Sequence, residues 1–412
     1  MKNIKHAALI LGLVYLPTSM AFPEYHLSGY LSAAGAVSDA GQVWAPILNT
    51  STLPTNAASE TAPTFVNTLT HPEIETYNSK PDFQQDSLVG LHGDLTFNDQ
   101  FSMSVEVAAK GENNWELDTE LAYLKYQLND NWFARAGRLR VPVFMYSENI
   151  EVGYDHVWIR LPLEVYALDP HTNYSGADVN YKGIIGGQTL GAQLYYGSLD
   201  DNFSGFYQAQ TLRYRQMIGA NFTVSNDFVK LRAGYNEANL SWVPASGFAQ
   251  ALQAYATALQ PTAVSDFDFN GTKVAYTDLG AIFNYANLQL QGEWIKQDSN
   301  SAGVAVQKAW YSTLSYRLGD VTPYIGYSAL KTTDKNRRNY SGTFGTNVNQ
   351  ILAAINQDQE TYTAGLRYDI AQNTAIKFQV DNIKAVHNTA GLFNVYPNND
   401  VRLYSATIDI VY

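Results

Sequence analysis

Cysteine is missing from all 412 residues. A disulfide framework and a thiolate metal site are therefore both excluded. Long apolar runs are missing too. After residue 21 no stretch approaches the roughly 20 residues that a membrane-spanning helix needs, and mean hydropathy is slightly negative. Basic charge is in short supply: 26 Lys and Arg face 38 Asp and Glu, for a net −12. Loss of Lys2 and Lys5 with an N-terminal leader makes this −14. That balance argues against a nucleic-acid partner, because phosphate contacts need a basic face. Reaction chemistry is thin as well. His26, His71, His92, His156, His171 and His387 are scattered without a ligand-spaced pair, and no Gly-x-Ser-x-Gly nucleophile turn occurs. No metal, cofactor or catalytic residue is expected. The glycine-rich stretch Gly183 to Gly191 falls at a hairpin rather than in a phosphate-cradling loop, and Asn49-Thr50-Ser51 matches a glycosylation sequon by chance.

What is present is aromatic and alternating. The 29 Tyr outnumber the 18 Phe and 7 Trp together, and Asn and Gln are plentiful. Lys2 and Lys5 precede an apolar run from Ala7 to Leu16 and the small residues Ser19-Met20-Ala21, so residues 1–21 read as a removable secretion signal. At the other end, Tyr404, Ala406, Ile408, Ile410 and Tyr412 share one face of a strand, and Ser405, Thr407 and Asp409 share the other. Turn signals such as Phe97-Asn98-Asp99-Gln100, Leu128-Asn129-Asp130-Asn131, Val224-Ser225-Asn226-Asp227 and Leu318-Gly319-Asp320 separate strands of nine residues or more. About sixteen strands are predicted, near 25–37, 86–97, 100–109, 117–128, 131–140, 173–183, 188–198, 211–224, 227–238, 272–285, 287–297, 306–318, 320–331, 359–370, 373–385 and 400–412.

Phe101, Met103, Val105 and Val107 alternate with Ser102, Ser104 and Glu106, and Val229, Leu231, Ala233 and Tyr235 alternate with Lys230 and Arg232. A Lys or Arg facing lipid at midplane costs about 2–4 kcal/mol, so the charged phase should face a wet lumen. Tyr126, Trp132, Phe222, Phe283, Trp294, Tyr316 and Tyr368 fall near strand ends, where interfacial girdles sit. The expected fold is all-β: a transmembrane antiparallel barrel over 22–412, with short turns at one end and long loops 38–85, 141–172, 239–271, 332–358 and 386–399 at the other. Phe248 to Leu259 and Val348 to Gln357 read as short helices within those loops.

Arg135-Ala136-Gly137-Arg138-Leu139-Arg140-Val141-Pro142 followed by Trp158-Ile159-Arg160-Leu161-Pro162-Leu163-Glu164-Val165-Tyr166 resembles the Gram-negative porins related to the phosphate-selective porin group. The resemblance implies a sixteen-stranded barrel in the bacterial outer membrane. It also implies a homotrimer, a third extracellular loop (141–172) folded inward to narrow the pore, and passive diffusion of ions and small hydrophilic solutes. The C-terminal strand resembles the signature by which the barrel-assembly machinery recognises such proteins, with Tyr412 as its last residue. Anion-selective relatives carry dense basic ladders; this acidic chain does not, so phosphate specificity does not carry over.

Loop 141–172 supplies the acids of an expected constriction, Glu148, Glu151, Asp155 and Glu164, with Arg160 and further Asp169, His156 and His171. Lys125, Arg135, Arg213, Arg215, Lys230 and Arg232 are expected to share the lumenal phase opposite, while the phase of Arg138 and Arg140 is open. Acids facing bases would set a transverse field across the path. Alternatively, the bases neutralise lumenal Asp94, Glu106 and Asp178. A plugged structural or adhesive barrel, and a barrel-type outer-membrane hydrolase, are the other functional readings.

Overall fold

The structure is a computed structural model that describes residues 23–39, 77, 79–169, 171–204, 209–243, 253–254, 256–268, 270–334, 339–343, 345, 348–349, 352, 356–387, 389–393, 397 and 399–412. The expected leader 1–21, His71, and most of loop 38–85 lie outside the described residues.

Sixteen strands run through the described residues: β1 (Glu24–Ser38), β2 (Leu88–Thr96), β3 (Phe101–Lys110), β4 (Leu117–Gln127), β5 (Trp132–Arg140), β6 (Asn173–Ile185), β7 (Gln188–Ser204), β8 (Ala209–Ser225), β9 (Val229–Val243), β10 (Thr272–Tyr285), β11 (Leu288–Ser299), β12 (Gln307–Tyr316), β13 (Val321–Thr332), β14 (Gln359–Ala371), β15 (Thr374–Ala385) and β16 (Val401–Val411). Each pairs with its sequence neighbours, and β1 pairs antiparallel with β16, so the sheet closes into a barrel. Tyr30 stands opposite Val411, and Gly29 and Tyr412 exchange backbone hydrogen bonds of 3.1 and 3.0 Å. Closure leaves no strand edge, which is the condition for a β-sheet to sit in hydrocarbon.

Alternation sets which face meets lipid. Leu27, Leu91, Leu124, Leu194, Leu279, Ile325 and Phe378 are exposed on the outer face. In β16, Ser405, Thr407 and Asp409 are buried toward the lumen, while Tyr404 and Tyr412 are exposed outside. Tyr126, Trp132, Phe222, Phe283, Tyr316 and Tyr368 are exposed near the strand ends, and Trp294 is half-buried.

The short turns explain the tight spacing at one end. Asn98 Oδ1 accepts from the backbone N–H of Gln100 and Phe101, both at 2.9 Å. Asn129 repeats the arrangement with Asn131 and Trp132, and Asn226 with Phe228 and Val229. These side chains replace a missing backbone acceptor at the turn. Gly186 and Gly187 have φ of 59° and 78°, the left-handed pair that a two-residue hairpin requires.

Where β7 and β8 rise beyond the belt, β8 carries one extra residue: the register shifts against β7 between Gly197 and Leu199 and against β9 between Arg215 and Ile218, and Gln216 has a φ of 52°. A bulge adds one residue and so reverses which face the following side chains take. Met217 is buried and Tyr214 packs against the internal core, so Arg213 and Arg215 turn outward. Both are exposed, and Arg215 pairs with Asp200 at 2.5 Å. The expectation that they line the lumen is therefore corrected.

The main apolar cluster lies inside the barrel. Val143, Phe144, Trp158, Val165 and Tyr166 of the 141–172 segment pack on Tyr174, Tyr195, Tyr276, Ile295, Tyr311 and Tyr324 of the wall. A second cluster joins Ala256, Ala263, Phe267, Ala302, Val348 and Leu352 on the long-loop side. There the described residues of the two expected helical runs meet; 248–252 and 255 of the earlier run, and 350–351 and 353–355 of the later one, lie outside the described residues.

Candidate functional site: the lumen and the folded-in segment

Nearly every strand turns a polar side chain inward. His92, Glu106, Lys125, Arg135, Asp178, Gln193, Asn221, Arg232, Asp278, Glu293, Thr313, Ser328, Thr363, Gln379 and Asp409 follow one another around the wall. Across this lumen runs the segment after β5, and its polar contacts trace the path.

Pro142 O accepts from Arg232 Nη2 at 2.5 Å. Met145 N–H donates to Glu293 Oε1 at 2.8 Å, and the Tyr166 hydroxyl donates to Glu293 Oε2 at 2.9 Å. Tyr146 donates to Gln291. Two 3-10 turns, Ser147–Asn149 and Gly153–Asp155, carry the chain down to the short-turn end. There the Tyr154 hydroxyl donates to Gln372 O at 2.7 Å, in the β14–β15 turn. Lys377 Nζ holds Gly153 O and Trp158 O at 2.6 and 2.9 Å, and Arg367 holds His156 O at 3.0 Å. The segment then climbs back. Trp158 Nε1 donates to Thr313 at 3.1 Å, and Ile159 N–H to Gln379 at 2.9 Å. A single helical turn, α1 (Leu163–Tyr166), places Glu164 against Ser328 and Gln359 at 2.6 and 2.7 Å and against Thr361. Tyr276 donates to Leu168 O at 3.2 Å near the top. The segment thus crosses the depth of the barrel and returns, and these contacts hold it to β9–β15.

The first anchor is ionic. Glu151 lies between two cations of the wall: it contacts Lys110 Nζ, and Arg140 Nη1 at 3.1 Å. Arg140 also reaches Glu106 at 2.7 Å and Glu120 at 2.9 Å, and Lys110 reaches Glu120 at 2.8 Å. Burial pushes the Glu151 carboxyl up, but Lys110 and Arg140 pull it further down, to about 2. Arg140 thus faces in. Arg138, which bonds Thr119 O at 2.6 Å, sits on the outer phase. His156 is buried, and burial with nearby Lys377 depresses its pKa to about 4, so it is neutral at physiological pH. His171 is the opposite case: burial lowers its pKa, yet Asp169 at 2.9 Å and Asp201 at 3.3 Å raise it to about 9.

The expected acidic rim needs correcting. Glu151, Glu164 and Asp169 are buried in the anchors just described. Glu151 and Glu164 attach the segment to the wall, Asp169 pairs with His171 of the same segment, and all three are removed from the open lumen. Glu148, with its side chain 53% exposed, and the exposed Asp155 are the loop acids that meet water. Arg160 is buried against Asp86 at 2.5 Å and Asp381 at 3.5 Å, with Tyr77 stacked 4.8 Å from its guanidinium. On the wall, Arg135 forks onto Asp178 at 2.6 Å and reaches across to Glu148 at 3.1 Å. Arg232 pairs with Asp278 at 2.9 Å. Lys125 stands opposite Arg135 in the ladder, with its ammonium 4.6 Å above the Phe133 ring, and Lys230 is half-buried near the short-turn end. Neutralisation of lumenal carboxylates is thus what Arg135 and Arg232 do.

Sequence reasoning missed Lys110, Arg367 and Lys377 as anchors. The alternation Ala375, Lys377, Gln379, Asp381 carried the signal for Lys377, because it puts a lysine on the phase opposite Phe378 and Val380. Several buried polar atoms have no protein partner among the described residues, including both ends of the Asn236 amide and the Tyr174 hydroxyl. No cluster of three potential metal ligands occurs among the described residues.

No family model matches the sequence, and no curated protein matches it. Solved structures do match in shape. The chain is similar to Salmonella typhi OmpF, solved in complex with daunomycin, at a TM-score of 0.56 and 13% identity over 95% of this chain and 98% of that one. It is similar to the anion-selective porin from Comamonas acidovorans at 0.55 and 12%, over 95% and 100%. It is similar to the outer-membrane channel DcaP of Acinetobacter baumannii at 0.53 and 12%, over 95% and 98%. The fold is therefore that of outer-membrane porins.

Proposed function

We propose that this chain sits in the bacterial outer membrane as a porin, a passive water-filled channel for ions and small hydrophilic solutes. One observation carries the reading: polar and charged side chains ring the lumen on nearly every strand. A barrel built only for rigidity would fill that space with apolar groups, since unpaired buried polar groups are costly. The segment 141–172 leans on β9–β16 and is tied to β3 and β5 through Glu151 and Glu148. Glu148 and Asp155 on it, and Asp94, Lys125 and Lys230 on the wall, keep solvent exposure beside it and would form the charged lining of the path. A homotrimer and recognition by the assembly machinery through the strand ending at Tyr412 belong to the same reading. Neither a cofactor nor a reaction enters it.

A second reading is a barrel closed by the segment itself. The reach of Tyr154 to Gln372 at the far mouth favours it. Swelling of liposomes loaded with the purified protein separates the two. The channel reading expects swelling in isosmotic small sugars that falls off with sugar size. The closed barrel expects none at any size.

A further inference from the structure

Three lysines stand side by side on the outer face of the barrel. Lys296 of β11 is directly opposite Lys308 of β12, and Lys308 is directly opposite Lys331 of β13. Each alternates with buried lumenal neighbours: Ile295 and Gln297, Gln307 and Ala309, Leu330 and Thr332. Their side chains therefore point away from the lumen. Like charges directly opposite in an antiparallel ladder are destabilising, so folding alone gives no reason for the row. Asp298 answers Lys296 at 2.6 Å. Lys308 and Lys331 are exposed, and no acid pairs with either among the described residues. Glu360 stands across from Ala329, two residues below Lys331, and Lys384 stands across from Glu360 in turn.

Beneath the row is an aromatic ledge. Trp310 lies two residues from Lys308 on the same face and packs on Tyr327 at 5.1 Å, and Tyr327 packs on Tyr362 at 4.9 Å. Trp and Tyr gather at the level of lipid headgroups. The row sits at the long-loop end of its strands, above that ledge.

We propose that Lys296, Lys308 and Lys331, over the Trp310–Tyr327 ledge, bind the phosphorylated headgroup of an anionic lipid in the extracellular leaflet. The leaflet assignment rests on the outer-membrane reading above; the binding itself does not. Three lysines whose Cβ atoms stand about 5 Å apart along the row suit a headgroup carrying more than one phosphate, and the ledge would receive the upper part of its acyl chains.

The test uses the full folded barrel in neutral detergent and counts retained lipid by native mass spectrometry. The probes are a bis-phosphorylated glucosamine lipid, its dephosphorylated counterpart and inorganic phosphate. The site is expected to retain the phosphorylated lipid and release the dephosphorylated one. A Lys308→Gln/Lys331→Gln variant should lose about thirty-fold in affinity, because each lysine near a charged surface contributes roughly five-fold. Asp298→Asn, which frees Lys296, should tighten retention. Equal retention by wild type and double variant, or of the two lipids, overturns the proposal. Complete displacement by millimolar inorganic phosphate overturns the lipid assignment in favour of free phosphate. Gel mobility before and after boiling confirms that both variants close their barrels. Because the row lies outside the lumen, the outcome is independent of whether the protein conducts.

Discussion

Changing Glu151 to Gln should release the inserted segment without weakening the wall behind it. The wall keeps a balanced set: Lys110 retains Glu120 at 2.8 Å, and Arg140 retains Glu106 at 2.7 Å and Glu120 at 2.9 Å. Only the link from the segment is lost. Its size follows from the carboxyl itself. A fall from 4.5 to about 2 corresponds to about 3 kcal/mol of preference for the charged, anchored form. The side chain is only 7% exposed, so solvent screening takes little of this away. Loss of 3 kcal/mol from a local opening raises amide exchange by about two orders of magnitude when exchange reports the opening equilibrium. Hydrogen-exchange mass spectrometry should therefore show residues 147–157 exchanging about a hundredfold faster in the variant, with the strands unchanged. Acid should do the same to wild type. A depressed carboxyl contributes fully above about pH 4.5, and the contribution is lost as pH falls through about 2. Arg140→Ala is the contrasting case: it leaves three buried carboxylates with one lysine, and breaking such a set costs about 3–5 kcal/mol across the barrel. If Glu151→Gln leaves exchange over 147–157 within a factor of three of wild type, the ionic anchor is not what holds the segment.

Two histidines set opposite pH limits on the same segment. His156 is held neutral, so its contribution is complete above about pH 6.5 and is lost between 6.5 and 4; exchange at 153–158 should rise over that window, and His156→Gln should flatten the rise. His171 is held charged, so its contribution is complete below about 6.5 and is lost as pH climbs through about 9; loosening near residues 168–172 should appear there and be absent at pH 7. Reversal potentials at low salt should move toward anions when Glu148 and Asp155 are neutralised together, while Arg213→Gln/Arg215→Gln should leave them unchanged, since those arginines lie outside the lumen. Tyr412→Asp places a charge where the closing strand meets lipid and the Gly29 backbone, and should lower the yield of heat-modifiable barrel without changing the conductance of what assembles.

The barrel was legible because one physical rule, two faces in two solvents, governs every strand. Boundaries of β1 to β6 and β10 to β16 fall within a few residues of those read from alternation and Asn-rich turns. β7 to β9 run longer than expected, to Ser204, from Ala209 and to Val243, because they continue as a hairpin above the belt, where alternation no longer has to match lipid. Arg213 and Arg215 were misplaced for a related reason. A single extra residue near Gln216 reverses the phase, and no residue type there announces it. In segment 141–172 the aromatic residues were rightly taken as its packing groups: Tyr146, Tyr154, Trp158 and Tyr166 each hydrogen-bond the wall. Its carboxylates could not be sorted in advance. Whether Glu148 faces water and Glu151 faces Lys110 depends on which wall residues arrive from 40 residues upstream, and a loop sequence carries no register to say so.

Single-channel recording in planar bilayers tests the central claim most directly. Wild-type protein should insert in discrete steps with a stable, ohmic ionic conductance, and Glu151→Gln should give the same steps with increased current noise as the segment works loose. Insertion of heat-modifiable barrel with no current above the detergent control, in both proteins, would contradict a channel and leave a barrel closed by residues 141–172.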